Sequence, residues 1–166
     1  MRLRAFCPAV LVLSLCWLPG AATARVPNKA ARADAVRAVV IRRIIATLSD
    51  GAERTYKAYY LEIGRGKDPG PDLVKRFHGN KPAVKPVSRS RINLKAKNPF
   101  LYAVEDRKTH LTGVIVRVGA VSWLAHRAKV HGGLYSGYRS GTESLYTVVR
   151  TRSGWTIESE GDAVKY

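Results

Sequence analysis

Past Cys16 the chain contains no cysteine. Disulfide staples, thiolate metal sites and a cysteine nucleophile are therefore excluded from everything downstream, and stability must come from the core alone. Acid is scarce as well: 12 Asp and Glu stand against 29 Lys and Arg, for a formal net charge of +17. The stretch from Lys75 to Phe100 has no carboxylate at all and eight basic residues: Lys75, Arg76, Lys81, Lys85, Arg89, Arg91, Lys95 and Lys97. Aromatics border that stretch only at Phe77 and Phe100, which argues against stacking on nucleic-acid bases. No GxGxxG, P-loop, GxSxG, HExxH or EF-hand spacing occurs, so the motif-defined nucleotide, hydrolase and metal classes have no support.

What the chain does have is an export signal. Arg2 and Arg4 form a short positive region, an apolar run follows from Ala5 to Leu18, and Pro19-Gly20 ends it. Ala22-Thr23-Ala24 supplies a small-x-small cleavage pattern, predicting removal of residues 1–24 by a cut between Ala24 and Arg25. The run is shorter than the roughly 20 residues a membrane span needs. No later stretch reaches that length, so no transmembrane segment is expected after cleavage. Cys16 is no lipoprotein site, because the large Leu15 precedes it. Cleavage takes away Arg2, Arg4 and no acid, so +17 becomes +15 on 142 remaining residues. That length is enough for one domain with a real core. The expected location is the periplasm or the medium, where the partners of a basic surface are anionic envelope components or an acidic protein, not intracellular nucleic acid.

Residues 25–33 read as a flexible N-terminal arm, and 34–166 as a single α+β domain. From Asp34 the apolar residues Val36, Val40, Ile44 and Leu48 recur at helical spacing, widened by Val39 and Ile41, up to a stop at Ser49-Asp50-Gly51. Tyr56 to Ile63 switches to period two: Tyr59, Leu61 and Ile63 share one face, and Ala58, Tyr60 and Glu62 the other. Asp68-Pro69 is a helix start, with Leu73, Val74 and Phe77 as its apolar face and His78-Gly79-Asn80 as its end. A strand is expected within Ala83 to Ile92. Beyond it, Gly113–Leu124, Ala125–Tyr138, Ser144–Thr151 and Trp155–Ser159 form an antiparallel meander, with Gly119 a bulge and Arg152-Ser153-Gly154 a hairpin turn. In the second of these strands Ala128, Val130, Gly132 and Leu134 share one face, and Arg127, Lys129, His131 and Tyr135 the other. The pair Gly132-Gly133 lies inside a strand, which indicates backbone crowding and not a phosphate cradle.

Helix-plus-strand blocks followed by a curved meander resemble the cystatin-like and NTF2-like α+β proteins. Within that class the chain is similar to small exported bacterial proteins of no assigned function. The residues that carry the likeness are Tyr59-Tyr60-Leu61-Glu62-Ile63, Lys67-Asp68-Pro69, Arg76-Phe77, Val84-Lys85-Pro86-Val87-Ser88, Val130-His131-Gly132-Gly133-Leu134-Tyr135, Tyr146-Thr147-Val148-Val149 and Gly154-Trp155. The resemblance implies an N-terminal amphipathic helix and a short second helix packed on a curved antiparallel sheet. Some such proteins carry cysteines near Ser88–Ser90 and within Ser136–Ser140; serines stand here, so no thiol role transfers.

Function then divides three ways. The basic segment, with Arg127 and Lys129, points to a non-catalytic binding protein for anions, with Lys81, Lys85, Arg89, Arg91, Lys95 and Lys97 as contacts. An NTF2-like enzyme would place Glu62 as a general base beside Tyr60, with Tyr135 or Tyr146 across the sheet. An inhibitor or immunity-type module would use its loops. His78, His110, His126 and His131 read as solvated or structural, with no metal spacing, and no cofactor is implied.

Overall fold

A computed structural model describes residues 28–50, 56–95, 103–137 and 140–165. The export signal, its cleavage point at Ala24 and Arg25, and Lys97 lie outside the described residues.

Helix α1, Lys29–Asp50, starts five residues earlier than the periodicity predicts, so Lys29–Ala33 belong to it and not to a flexible arm. Asn28 explains the early start. Its side-chain oxygen accepts the Ala31 N–H at 2.8 Å, and its carbonyl accepts the Arg32 N–H at 3.0 Å. The first bond fills an N–H that has no partner inside the helix and the second is the first regular helical bond, which stabilises a turn that Ala30 and Ala31 already favour. The buried stripe is Val36, Ala38, Val40, Ile41, Ile44 and Ile45, with Leu48 half-buried beneath it. Each fully buried aliphatic side chain contributes about 1.5–3 kcal/mol by leaving water.

That stripe packs on a seven-stranded sheet made of β1 (Ala58–Ile63), β2 (Ala83–Pro86), β5 (Gly113–Leu124), β6 (Arg127–Gly137), β7 (Ser140–Thr151), β8 (Gly154–Glu160) and β9 (Val164–Lys165). The order across it is β2-β1-β5-β6-β7-β8, with β9 also on β7. From β5 to β8 the strands form the antiparallel meander read from the sequence, and the register slips between Val118 and Val121, around Gly119. The turn between β7 and β8 is closed by Gly154 at φ 129°, a conformation that favours glycine.

The expectation of a cystatin-like or NTF2-like antiparallel sheet is overturned at the other end. β1 is parallel to both of its neighbours, pairing Ala58 with Ala83 of β2 and with Gly113 of β5. The chain is mostly sheet, with one long helix and one large mixed sheet. The physical reason lies in β1 itself. Its residues are buried on both faces: Tyr59 and Leu61 meet α1, while Ala58 and Tyr60 meet a second small core with Val104 and Ile115. A strand covered on both sides takes an interior place, and parallel neighbours suit that place. The crossover it requires is residues 64–112.

That crossover departs from expectation in detail. Its helix, α2, spans only Pro71–Lys75, with Gly70 as N-cap and Pro71 in the first turn. Asp68, predicted to cap the helix, instead accepts the Ser88 N–H at 2.8 Å. The single strand expected over Ala83–Ile92 is broken: β2 ends at Pro86, a 3₁₀ turn covers Val87–Arg89, and β3 takes Ser90–Ile92. β3 pairs antiparallel with β4, Val104–Asp106, in a separate two-stranded ribbon.

The glycine pair behaves as crowding predicts. A Cβ on Gly132 would stand 2.7 Å from Val40 Cγ1 and 3.1 Å from Ile44 Cδ1, on the helix side. A Cβ on Gly133 would run into the Thr142 carbonyl and the Glu143 Cα of β7. Gly132→Ala should therefore lower stability by about 1–3 kcal/mol through overpacking, measured by urea unfolding. Gly133→Ala should cost more, because backbone gives less than side chain.

Candidate functional site

The two faces of the sheet differ. One is closed by α1. The other carries Tyr60 and Glu62 of β1, Ile115 and Arg117 of β5, and Lys129, His131, Gly133 and Tyr135 of β6. The β3–β4 ribbon covers this face at Tyr60, and farther out Lys129 and His131 are exposed.

Asp106 fixes the ribbon in place. Its Oδ1 accepts the N–H groups of Lys108 and Thr109 at 2.9 and 3.0 Å, closing the turn after β4. Its Oδ2 accepts the Tyr60 hydroxyl at 3.1 Å and the Lys85 ammonium at 2.7 Å. The residue is 2% exposed, and all four partners favour its ionised form. The Lys85 contact, then the Thr109 and Lys108 amides, hold its carboxyl well below the usual range against the opposing effect of burial. Burial, then the bond to Asp106, pushes the Tyr60 phenol far above its ordinary value. Beside this node, burial pushes Glu105 up, but hydrogen bonds from Arg91 at 2.6 Å and Asn93 at 3.2 Å outweigh it and hold it low. Arg91 also reaches His110 Nδ1 at 2.6 Å.

Between ribbon and sheet lies an open groove of about 510 Å³. Arg91 and Arg107 line it from the ribbon side, Arg117 and Glu62 from the sheet, and Ile92, Ile115 and Tyr135 give it apolar surface. Arg117 Nε donates to Glu62 Oε2, and the Gly66 N–H donates to Glu62 Oε1. Arg107 Nε donates to the Ser90 carbonyl at 2.7 Å and makes no ion pair among the described residues. A smaller hollow of about 170 Å³ continues the groove past Arg117 and Tyr135, and adds Arg65, His131 and Glu143. His131 Nδ1 and Glu143 Oε1 approach to 3.4 Å there.

The residues expected to bind anions are dispersed by this arrangement. Lys85 and Arg91 stand at the ribbon, each engaged with a carboxylate, and Arg89 stands near them, exposed, in the 3₁₀ turn. Lys81 and Lys95 are exposed on the flanking segments. Arg127 and Lys129 lie on β6, separated from β2 by β1 and β5, and Arg127 pairs with Glu158 at 2.7 Å. Glu62 and Tyr60 do share a face, and Tyr135 shares the groove with Glu62. Tyr146 does not: it points to the helix side and donates to Glu160 at 3.0 Å. His126 sits in the turn between β5 and β6.

Three groove residues escaped the sequence reading: Arg65, Arg107 and Arg117. A signal existed for one of them. Arg117 is the single charge in the strand GVIVRVGAVSWL, and its register partner on β1 is Glu62. Among the described residues no group of three or more His, Asp or Glu could hold a metal ion, and no helix is long and apolar enough to cross a membrane. Comparison of the chain with protein families, with curated proteins and with solved structures returns no match.

Asp106→Asn should lower stability at pH 7 by about 3 kcal/mol, since it breaks a buried ion pair whose lysine is partly solvated. Because the folded carboxyl titrates below its unfolded value of 3.8, that stabilisation is complete above about pH 4. It is lost as pH falls through the folded value, so the gap between wild type and variant should narrow in acid. Urea unfolding at pH 7 and pH 3 measures both.

Proposed function

We propose that this is an exported, non-catalytic binding protein whose basic surface holds an anionic component of the cell envelope. The observation that carries the reading is the groove on the open sheet face, whose lining holds three arginines, Arg91, Arg107 and Arg117, and one carboxylate, Glu62. Guanidinium groups present planar forks of donors that match phosphate and carboxylate oxygens. Exposed Arg89, Lys95 and Lys129 extend the positive field around it and would raise the local concentration of an anion. Export rests on the N-terminal signal.

Catalysis is disfavoured by how the two groups that would perform it are employed. Both oxygens of Glu62 already accept hydrogen bonds, one of them from an arginine that stabilises its charge. Its carboxylate is engaged by the fold at both oxygens and not left open to a substrate. The Tyr60 hydroxyl is likewise bound to Asp106.

Purified protein should be retained on heparin and on lipopolysaccharide, with binding that weakens steeply as salt rises. Arg107→Glu and Lys129→Glu change exposed residues, so circular dichroism should stay native while retention drops. Unaltered retention in both variants would sink the proposal. Reversal at Lys85 or Arg91 is a poorer test, because each breaks an ion pair of the ribbon. Mass spectrometry of the exported protein should find Arg25 at its N-terminus.

A further inference from the structure

We infer that the groove takes an amphipathic anion, a single phosphate head carried on an apolar stem. This deepens the proposal above and rests on it. Three observations combine. The first is charge. Arg117 is balanced by Glu62 and Arg91 by Glu105, whereas the Arg107 side chain, among the described residues, meets a backbone carbonyl and no carboxylate. The groove therefore has an excess of about one positive charge, with three guanidinium-bearing residues in its lining. A single anionic head satisfies that arrangement, while a second would meet the repulsion of Glu62 and Glu105.

The second observation is the apolar lining. Ile92 lies in the groove and is 47% exposed, although its cross-strand partner Val104 is fully buried. Ile115, Val87 and Tyr135 continue the same apolar surface toward the sheet. An inorganic ion would leave this surface in water. A stem laid along it removes both its own methylenes and Ile92 from solvent, and each buried methylene raises affinity roughly fourfold. The third is size: about 510 Å³ falls within the roughly 300–1,000 Å³ of small-molecule sites, and far exceeds what one phosphate fills.

Calorimetric titration of the full chain with inorganic phosphate, butyl phosphate, octyl phosphate and octanol tests the inference. Octyl phosphate should bind at least tenfold tighter than butyl phosphate, butyl phosphate tighter than inorganic phosphate, and octanol not measurably. Arg107→Gln should weaken octyl phosphate at least tenfold. Ile92→Ser should flatten the dependence on chain length while leaving retention on heparin intact, a result that a merely basic surface would not give. Octyl phosphate no tighter than inorganic phosphate, with heparin retention preserved, would overturn the amphipathic ligand and leave the anionic reading standing. Loss of heparin retention as well would overturn both. Vesicles of phosphatidylglycerol separate the two sources of such a ligand: binding that octyl phosphate displaces assigns a lipid headgroup, and octyl phosphate binding without vesicle binding assigns a free amphiphile.

Discussion

Asp106 accepts two backbone N–H groups through one oxygen, and Tyr60 and Lys85 through the other, where water does not reach it. The arrangement of the ribbon-covered sheet face depends on this carboxylate. Tyr60 belongs to β1, Lys85 to β2, and Asp106 closes the ribbon, so one side chain ties β1 to two separate stretches of the crossover. A buried charge without partners would be very unfavourable, and a buried charge with all of them in place is a strict geometric requirement. These contacts hold the ribbon over the sheet, and the groove lies between the two.

The remaining charges follow the same logic at lower cost. Glu105 and Glu62 are each buried and each met by an arginine, close to an apolar floor. On the far side of the sheet the chemistry is different. There α1 contributes aliphatic side chains, and the polar links are peripheral: Arg43 to Glu160, and Tyr146 to the same carboxylate. One face thus resembles an ordinary core, and the other combines buried ions with open space. Such a division places adaptable polar surface on a rigid support.

Much of the meander was legible in the sequence because alternation there is clean. Ala128, Val130 and Gly132 are buried, while Arg127, Lys129 and His131 are exposed, as period two requires. The helix was legible for the same reason, apart from its first turn, where Asn28 extends it. The sheet's parallel end was not legible. Tyr59, Tyr60 and Leu61 are all buried, so no alternation distinguishes an interior strand from an edge, and a strand's neighbours in a crossover are set by pairing at long range. The candidate site shows a similar split. Residue types pointed to anions, but spacing could not reveal that Lys85, Arg91 and Arg127 would be balanced by Asp106, Glu105 and Glu158. Nor could it reveal that Arg107 would line the groove with no carboxylate partner among the described residues.

The place of β1 between two parallel neighbours also orders events in time. Both of its partners lie downstream in the chain, and the farther one, β5, begins at Gly113. During synthesis, α1 and β1 emerge with no sheet to complete, and loop closure over the residues between must precede any gain from pairing. β1 therefore cannot complete its pairing until β5 has been made. The parallel end of the sheet thus waits on long-range closure, whereas the hairpins from β5 to β8 need only local closure.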